Sequence, residues 1–253
     1  MRIAIHQPNY LPYIGYFQKM SMVDIFVLLD NVQFSKDSYT QRTRIKTKDG
    51  PSWLTIPLEK KSHFRLIKDI ELPSSPVWKK KHNRSLIANY SRSPFFDRSF
   101  VNDYYTKRIA GLSEFNEYGI QYIRRAFGIN SKIIRASDLD FNPELTSTDL
   151  LIKILNLLGA TAYVSGVGGS KYQDPTLFEA NEIQLIYHKF SPFEYMQRWE
   201  DFLPYTSALD LLFSVGSEKC KALFSDDNLW QAGLDGRESS GHDGIHNSGE
   251  ISS

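Results

Sequence analysis

Near the start of the chain, the segment His6-Gln-Pro-Asn-Tyr-Leu-Pro12 brings together an imidazole, two amides and a phenol, and two prolines stiffen it. An imidazole titrates near neutral pH and so can take and return a proton, while amides bond hydroxyl groups and a phenol ring offers a stacking face. A second polar group follows in Asp30-Asn-Val-Gln-Phe-Ser-Lys36 and Gln41-Arg-Thr-Arg44. An acid, amides and three cations at this spacing suit a phosphorylated, hydroxyl-rich ligand. Each side chain also has a plainer reading: a histidine after a strand often serves as a structural hydrogen bonder, and Arg42 and Arg44 alternate as the solvated face of a hairpin would.

Four further features invite the same comparison. Lys79-Lys-Lys-His-Asn-Arg84 opens a predicted helix. Basic residues there oppose the macrodipole, and the run reads as a solvated face from which His82 and Arg84 could reach a phosphate. Ser165-Gly-Val-Gly-Gly-Ser-Lys-Tyr172 is a glycine-rich loop between a strand and a helix, with Ser165 and Gly166 placed for anion contact. Its spacing fits neither the P-loop nor the dinucleotide fingerprint. His242 and His246 have a metal-like interval but lie in a glycine- and serine-rich segment, so no metal site is expected. Cys220 has no histidine near it in sequence and is expected to be a buried structural thiol.

These residues need elements to position them. Residues 2–5 and 25–29 are apolar runs without polar alternation, as in strands buried on both faces, and between them Ile14, Phe17, Met20 and Val23 recur every third residue after Pro12. The pattern is a βαβ unit, which sends His6-Gln7 and Asp30-Asn31 to the carboxyl edge of one sheet, where ligands sit in parallel α/β folds. Residues 42–72 read as short strands of appended hairpins, 77–127 as helices interrupted near Pro94 and stopped at Gly128, and 132–187 as a return of alternating strands and helices. Helices within 207–224 close the fold. The expectation is an α/β protein with a mainly parallel sheet of Rossmann-like type flanked by helices, a β-hairpin region and a helical insertion. Residues 1–225 would form one domain, and 226–253 a flexible tail too polar to offset its ordering entropy.

Composition agrees with this class. The chain has 253 residues, of which 41% are hydrophobic, enough for a sizeable core. Its 30 basic and 29 acidic side chains leave a net charge of +1, so no global field draws it to nucleic acid or an anionic membrane. A single cysteine and the lack of a long apolar run favour a cytoplasmic location.

The opening motif through Tyr13-Ile-Gly-Tyr-Phe-Gln-Lys19, with Asp24 to Lys36, Arg42-Thr-Arg44 and Trp53-Leu-Thr-Ile-Pro57, resembles the WbqC-like protein family. His82, Tyr90, Pro94-Phe-Phe96, Ser165-Gly166 and Ala208-Leu-Asp-Leu-Leu-Phe213 with Gly216 extend the likeness over nearly all of residues 1–224, although Gln41 stands where the family often has asparagine. The resemblance implies a role in bacterial O-antigen, lipopolysaccharide or other surface-polysaccharide biosynthesis. On it rests the expectation of a transferase that moves an acyl or aminoacyl group to the amine of a nucleotide-linked deoxyamino sugar. The donor would be a coenzyme A or acyl-carrier-protein thioester. His6 would then act as general base and Asp30 as its orienting or charge-stabilising partner. Lys36, Arg42 and Arg44 would hold a diphosphate, with Gln7, Asn9 and Gln33 on sugar hydroxyls, Tyr10 stacking, and the glycine loop at the oxyanion. Two alternatives are a nucleotidyl- or adenylyl-transfer enzyme using the His6 loop and a non-catalytic sugar-nucleotide binding module.

Overall fold

The computed structural model describes residues 1–141, 145–199 and 201–225. In chain order its elements are β1 (Arg2–His6), α1 (Ile14–Ser21), β2 (Ile25–Leu28), β3 (Arg42–Thr47), β4 (Gly50–Thr55), α2 (Val77–Tyr90), α3 (Arg98–Thr106) and α4 (Leu112–Ala126). They continue with β5 (Lys132–Arg135), α5 (Ser147–Leu157), β6 (Ala162–Gly166), α6 (Pro175–Ala180), β7 (Gln184–His188), α7 (Ala208–Val215) and α8 (Ser217–Ser225). The flexible-tail expectation, with His242 and His246, falls outside the described residues.

Five strands form one sheet in the order β5-β2-β1-β6-β7, every neighbour parallel. Parallel strands must be covered on both faces, and they are. Ala4, Phe26, Leu28 and Val164 pack with residues of α1, α4 and α7 on one side. Ile3, Ile5, Val27 and Tyr163 pack with Leu150, Ile154 and Phe178 of α5 and α6 on the other. That two-sided burial is why the strands carry no polar alternation. Left-handed Gly128 and Gly159, each with φ +68, end the helices before β5 and β6. Asp174 caps α6 by accepting from Thr176 N, with Pro175 as its first residue.

The expected hairpin is present, but one of its neighbouring runs differs from the sequence reading. β3 and β4 form a separate two-stranded antiparallel sheet that does not join the main one. The run at residues 67–72 is not a strand but opens with a 3₁₀ turn, Ile67–Asp69. It follows the chain after β2 instead: Ile67 N donates to Val32 O at 3.0 Å and Lys68 N to Asp30 O at 2.8 Å, so its backbone groups are already engaged. Among the described residues no helix is long and apolar enough to cross a membrane.

Candidate functional site

From β1 the chain moves outward to β2 and β5, then returns to the opposite side of β1 to lay down β6 and β7. The point where this direction reverses, between β1 and β6, is where an open parallel sheet forms its binding crevice. Here the strands do part: β1 pairs with β2 as far as His6 and Leu28, but with β6 only through Arg2/Ala162 and Ile3/Tyr163. His6-Gln7 and Ser165-Gly166 therefore flank a gap at the carboxyl edge.

Under this gap α1 carries an unusual side chain. Residues Ile14 to Met20 are all buried, so the helix has no wet face, and Lys19 is only 5% exposed. Among the described residues its Nζ makes no hydrogen bond or ion pair; the nearest recorded group is the Phe26 ring, with the centroid 6.0 Å away. Burial alone pushes its amine down to about 7. Two imidazoles share its environment. His6 Nδ1 lies 3.1 Å from Gln7 O and its ring meets Tyr16 edge-on at 4.8 Å. His188, at the end of β7, bonds Gln18 Oε1 through Nε2 at 2.8 Å. Burial, then the nearby Lys19 charge, lowers His6 to about 3 and His188 to about 4. Both rings are thus neutral at pH 7. Because His6 Nδ1 faces a carbonyl it carries the proton, and the lone pair sits on Nε2, which has no hydrogen-bond partner among the described residues.

Several residues singled out in the sequence are engaged in holding this edge together. Asp30 is 1% exposed, and its carboxylate accepts from Ser137 N at 3.0 Å, Ser137 Oγ at 2.8 Å and Ser113 Oγ at 3.4 Å. It ties β2 to the turn after β5 and to the start of α4, while the His6 Nδ1 it was expected to orient is taken by Gln7 O. Asp30→Ala is expected to lower stability by about 2–4 kcal/mol, since three donors lose a charged acceptor in the interior. Urea unfolding measures this, and a loss below about 1 kcal/mol would show that the carboxylate holds nothing.

The loop after β1 is rigid because its carbonyls are nearly all bonded. Asn116 Nδ2 donates to Pro8 O and Thr40 O, Thr43 Oγ1 to Leu11 O and Ala208 N to Pro12 O, each within 2.8 Å. Gln7 Oε1 accepts from Thr40 Oγ1 at 3.1 Å, and Asn9 is buried. Tyr10 is in the core, stacked against Tyr104 and Phe115, so its ring faces no open space for a base or sugar. Its hydroxyl bonds His82 Nδ1 at 2.9 Å and Tyr105 OH at 2.5 Å. His82, pushed down to about 4 by burial, then by Lys81, is a neutral member of that interior chain.

The cations expected to hold a diphosphate spread along the hairpin. Lys36 is exposed; Arg42 pairs with Asp37 at 3.6 Å and stacks over Trp53. Arg44 donates through Nη2 to Pro204 O, leaving a buried Nε without a partner among the described residues. Exposed Gln33 donates to His63 O at 2.7 Å. Ser165 lies on the sheet face opposite His6, bonded by Gln173 Nε2 at 3.0 Å, and Gly166 has open space at its α-carbon. Cys220 is buried, its thiol pushed up to about 12. Among the described residues no group of three or more His, Cys, Asp or Glu side chains is gathered to hold a metal ion.

A doubly wound parallel α/β sheet, with a polar cluster at its switch point and an appended hairpin, defines the class of this protein. The chain belongs to the WbqC-like protein family, whose profile matches residues 7–222. Uncharacterized protein Rv1507c of Mycobacterium tuberculosis (strain ATCC 25618 / H37Rv) is 32% identical over 221 residues, covering 86% of this chain and 95% of that protein. No solved structure matches the chain.

Proposed function

We propose that this protein is a transferase of bacterial surface-polysaccharide assembly, one that moves an acyl or aminoacyl group from a thioester to the amine of a nucleotide-linked deoxyamino sugar. The reaction site is the gap between β1 and β6. The observation that carries this reading is Lys19, an amine only 5% exposed that meets the Phe26 ring and, among the described residues, forms no ion pair; burial pushes it down to about 7, beside two neutral imidazoles. A sugar ammonium must lose a proton before it attacks, and a base works best when its pKa lies near the operating pH. Lys19 meets that condition, whereas His6 at about 3 is too weak a base to lead.

In this scheme neutral Lys19 takes one proton from the sugar ammonium and releases it to solvent, then takes a second from the nitrogen as it bonds to the thioester carbonyl carbon. The C–S bond then breaks, and the same proton passes to the departing sulfur. His6 Nε2 accepts a hydrogen bond from the amine or a neighbouring hydroxyl and sets its direction. Backbone amides of the turn Val167–Lys171 serve the tetrahedral oxyanion.

Release of free thiol from acetyl- and glycyl-thioesters of coenzyme A and of acyl-carrier protein, with nucleotide-linked 3-amino and 4-amino dideoxy sugars as acceptors, tests the reaction. Thiol release that requires both substrates, with a mass gain on the sugar, is the expected result. No sugar-dependent release across the panel would exclude it.

A further inference from the structure

A second site lies outside the switch point. Between the start of α2, the end of α3 and the segments leading into α2 and α4 is a cavity of about 700 Å³, within the range of small-molecule sites. Five cations line it, Lys79, Lys80, Arg84, Lys107 and Arg108, against a single carboxylate, Glu71. In a chain whose net charge is only +1 such a ratio is a local concentration. Among the described residues none of the five forms an ion pair; the pairs recorded lie elsewhere.

The helix makes the concentration stranger. α2 is 14 residues long, starts after Pro76 without a side-chain cap, has no acid in its first turn and instead carries Lys79 and Lys80 there. Cations at the positive end of a helix dipole are unfavourable, typically by about 0.3–1 kcal/mol each. A local rule broken twice, beside an open cavity, marks a place where function sets the sequence. An anion seated there would reverse every one of these terms, meeting free backbone N–H groups, the dipole and the ammonium groups together.

The remaining lining is not that of a bare phosphate site. Tyr105, Pro73 and Ile109 supply apolar surface, while Asn83 and Asn102 supply amides. Asn83 Nδ2 is used on Val101 O and Asn102 Oδ1, at 3.2 and 3.0 Å; among the described residues Asn83 Oδ1 and Asn102 Nδ2 have no partner and remain for a ligand. Lys79 is braced, with its ammonium 5.2 Å from the Phe115 ring centroid and 3.3 Å from Lys107 O.

We infer that this cavity binds a nucleoside diphosphate moiety, with the diphosphate at the start of α2 and the base against the apolar wall of Leu72, Pro73 and Ile109. Two molecules carry that moiety: a nucleotide-linked sugar and coenzyme A. Only the choice between them leans on the transferase reading; the site itself does not. Sequence reading expected the diphosphate at Lys36, Arg42 and Arg44, and the cavity offers more cations, none of them in an ion pair among the described residues.

Calorimetric titration of the full chain with UDP, TDP, ADP, coenzyme A and pyrophosphate tests the inference without requiring turnover. Binding is expected to weaken about 30-fold or more in a Lys80→Glu/Arg108→Glu double variant, which removes two charged contacts from exposed positions. A Lys60→Glu/Lys61→Glu control, with the same change in net charge, is expected to alter it less than about 3-fold. Preference for coenzyme A over ADP identifies coenzyme A, and preference for UDP or TDP identifies the sugar nucleotide; either supports the site. Equal weakening in the control, pyrophosphate binding as tightly as every nucleotide, or no nucleotide binding below about 1 mM would overturn it.

Discussion

Replacing Lys19 by methionine is expected to make the protein both more stable and inactive. The folded amine titrates at about 7 against its ordinary 10.5. Because the folded value is the lower one, the unfolded chain binds the proton more readily between those pH values. Stability from this group is therefore lost as pH falls from 10.5 to 7 and is constant below. That gap sets an upper limit of about 5 kcal/mol for the penalty at neutral pH. With relaxation around the ammonium, a gain of about 2–4 kcal/mol for Lys19→Met is expected from urea unfolding at pH 7. Turnover should fall about 10²–10⁴-fold, the usual worth of a general base. Lys19→Arg separates a proton carrier from a fixed charge, because a guanidinium stays protonated. As inactive as methionine, it supports proton transfer; with activity retained, it shows that Lys19 only attracts an anion. In the wild type kcat should climb through pH about 7 and level off above it.

A residue that destabilises its own fold is hard to read from sequence, and the reason lies in what sequence patterns report. The apolar runs at residues 2–5 and 25–29, the glycines at 128 and 159 and Asp174-Pro175 follow local rules, so the sheet and its helices are legible. The threefold stripe of Ile14, Phe17, Met20 and Val23 marks one buried face of α1; it does not reveal that Tyr16, Gln18 and Lys19 are buried too. A signal was present nonetheless. Lys19 has no acid three or four residues away on either side, as an exposed helical lysine often has. His188 closes an apolar strand just as His6 does, and the same reasoning that picked one picks the other.

Polar residues next to a site divide between chemistry and scaffolding, and side-chain type does not tell them apart. Asp30 looks like an orienting partner for His6 until Ser113 and Ser137 are placed around it, 83 and 107 residues away in the chain. Tyr10 and His82 look like ligand-facing groups until Tyr105 completes their interior chain. The lysine run at the start of α2 errs in the other direction. It reads as a solvated face because the opposite wall of its cavity comes from the end of α3, which local sequence cannot bring into view.

Acid should unfold this protein over a narrow range, through its histidines. His6, His82 and His188 titrate at about 3, 4 and 4 in the folded chain against an ordinary 6.5, each lowered first by burial. A base whose folded pKa is depressed contributes stability that is full above 6.5 and lost as pH falls toward the folded value. Between about pH 6 and 4 the unfolded chain then holds up to three more protons than the folded one, a slope of about 4 kcal/mol per pH unit. Asp210 works against this. Burial raises its carboxyl despite bonds from Tyr90 and Tyr195, so it takes its proton early in the folded state. One carboxyl offsets at most one imidazole, and a steep net loss remains. Folding stability measured in urea at pH 7, 6 and 5 should therefore collapse near pH 5, well within the marginal stability of a domain this size. His82→Gln keeps a polar side chain but removes one proton site that is not among the groups placed in the reaction, so the slope should fall by about one third while any thiol-releasing activity survives. A slope unchanged by His82→Gln would mean that carboxylates govern the acid limb. In that case the neutral imidazole at His82, and by the same burial argument those at His6 and His188, would have to be given up.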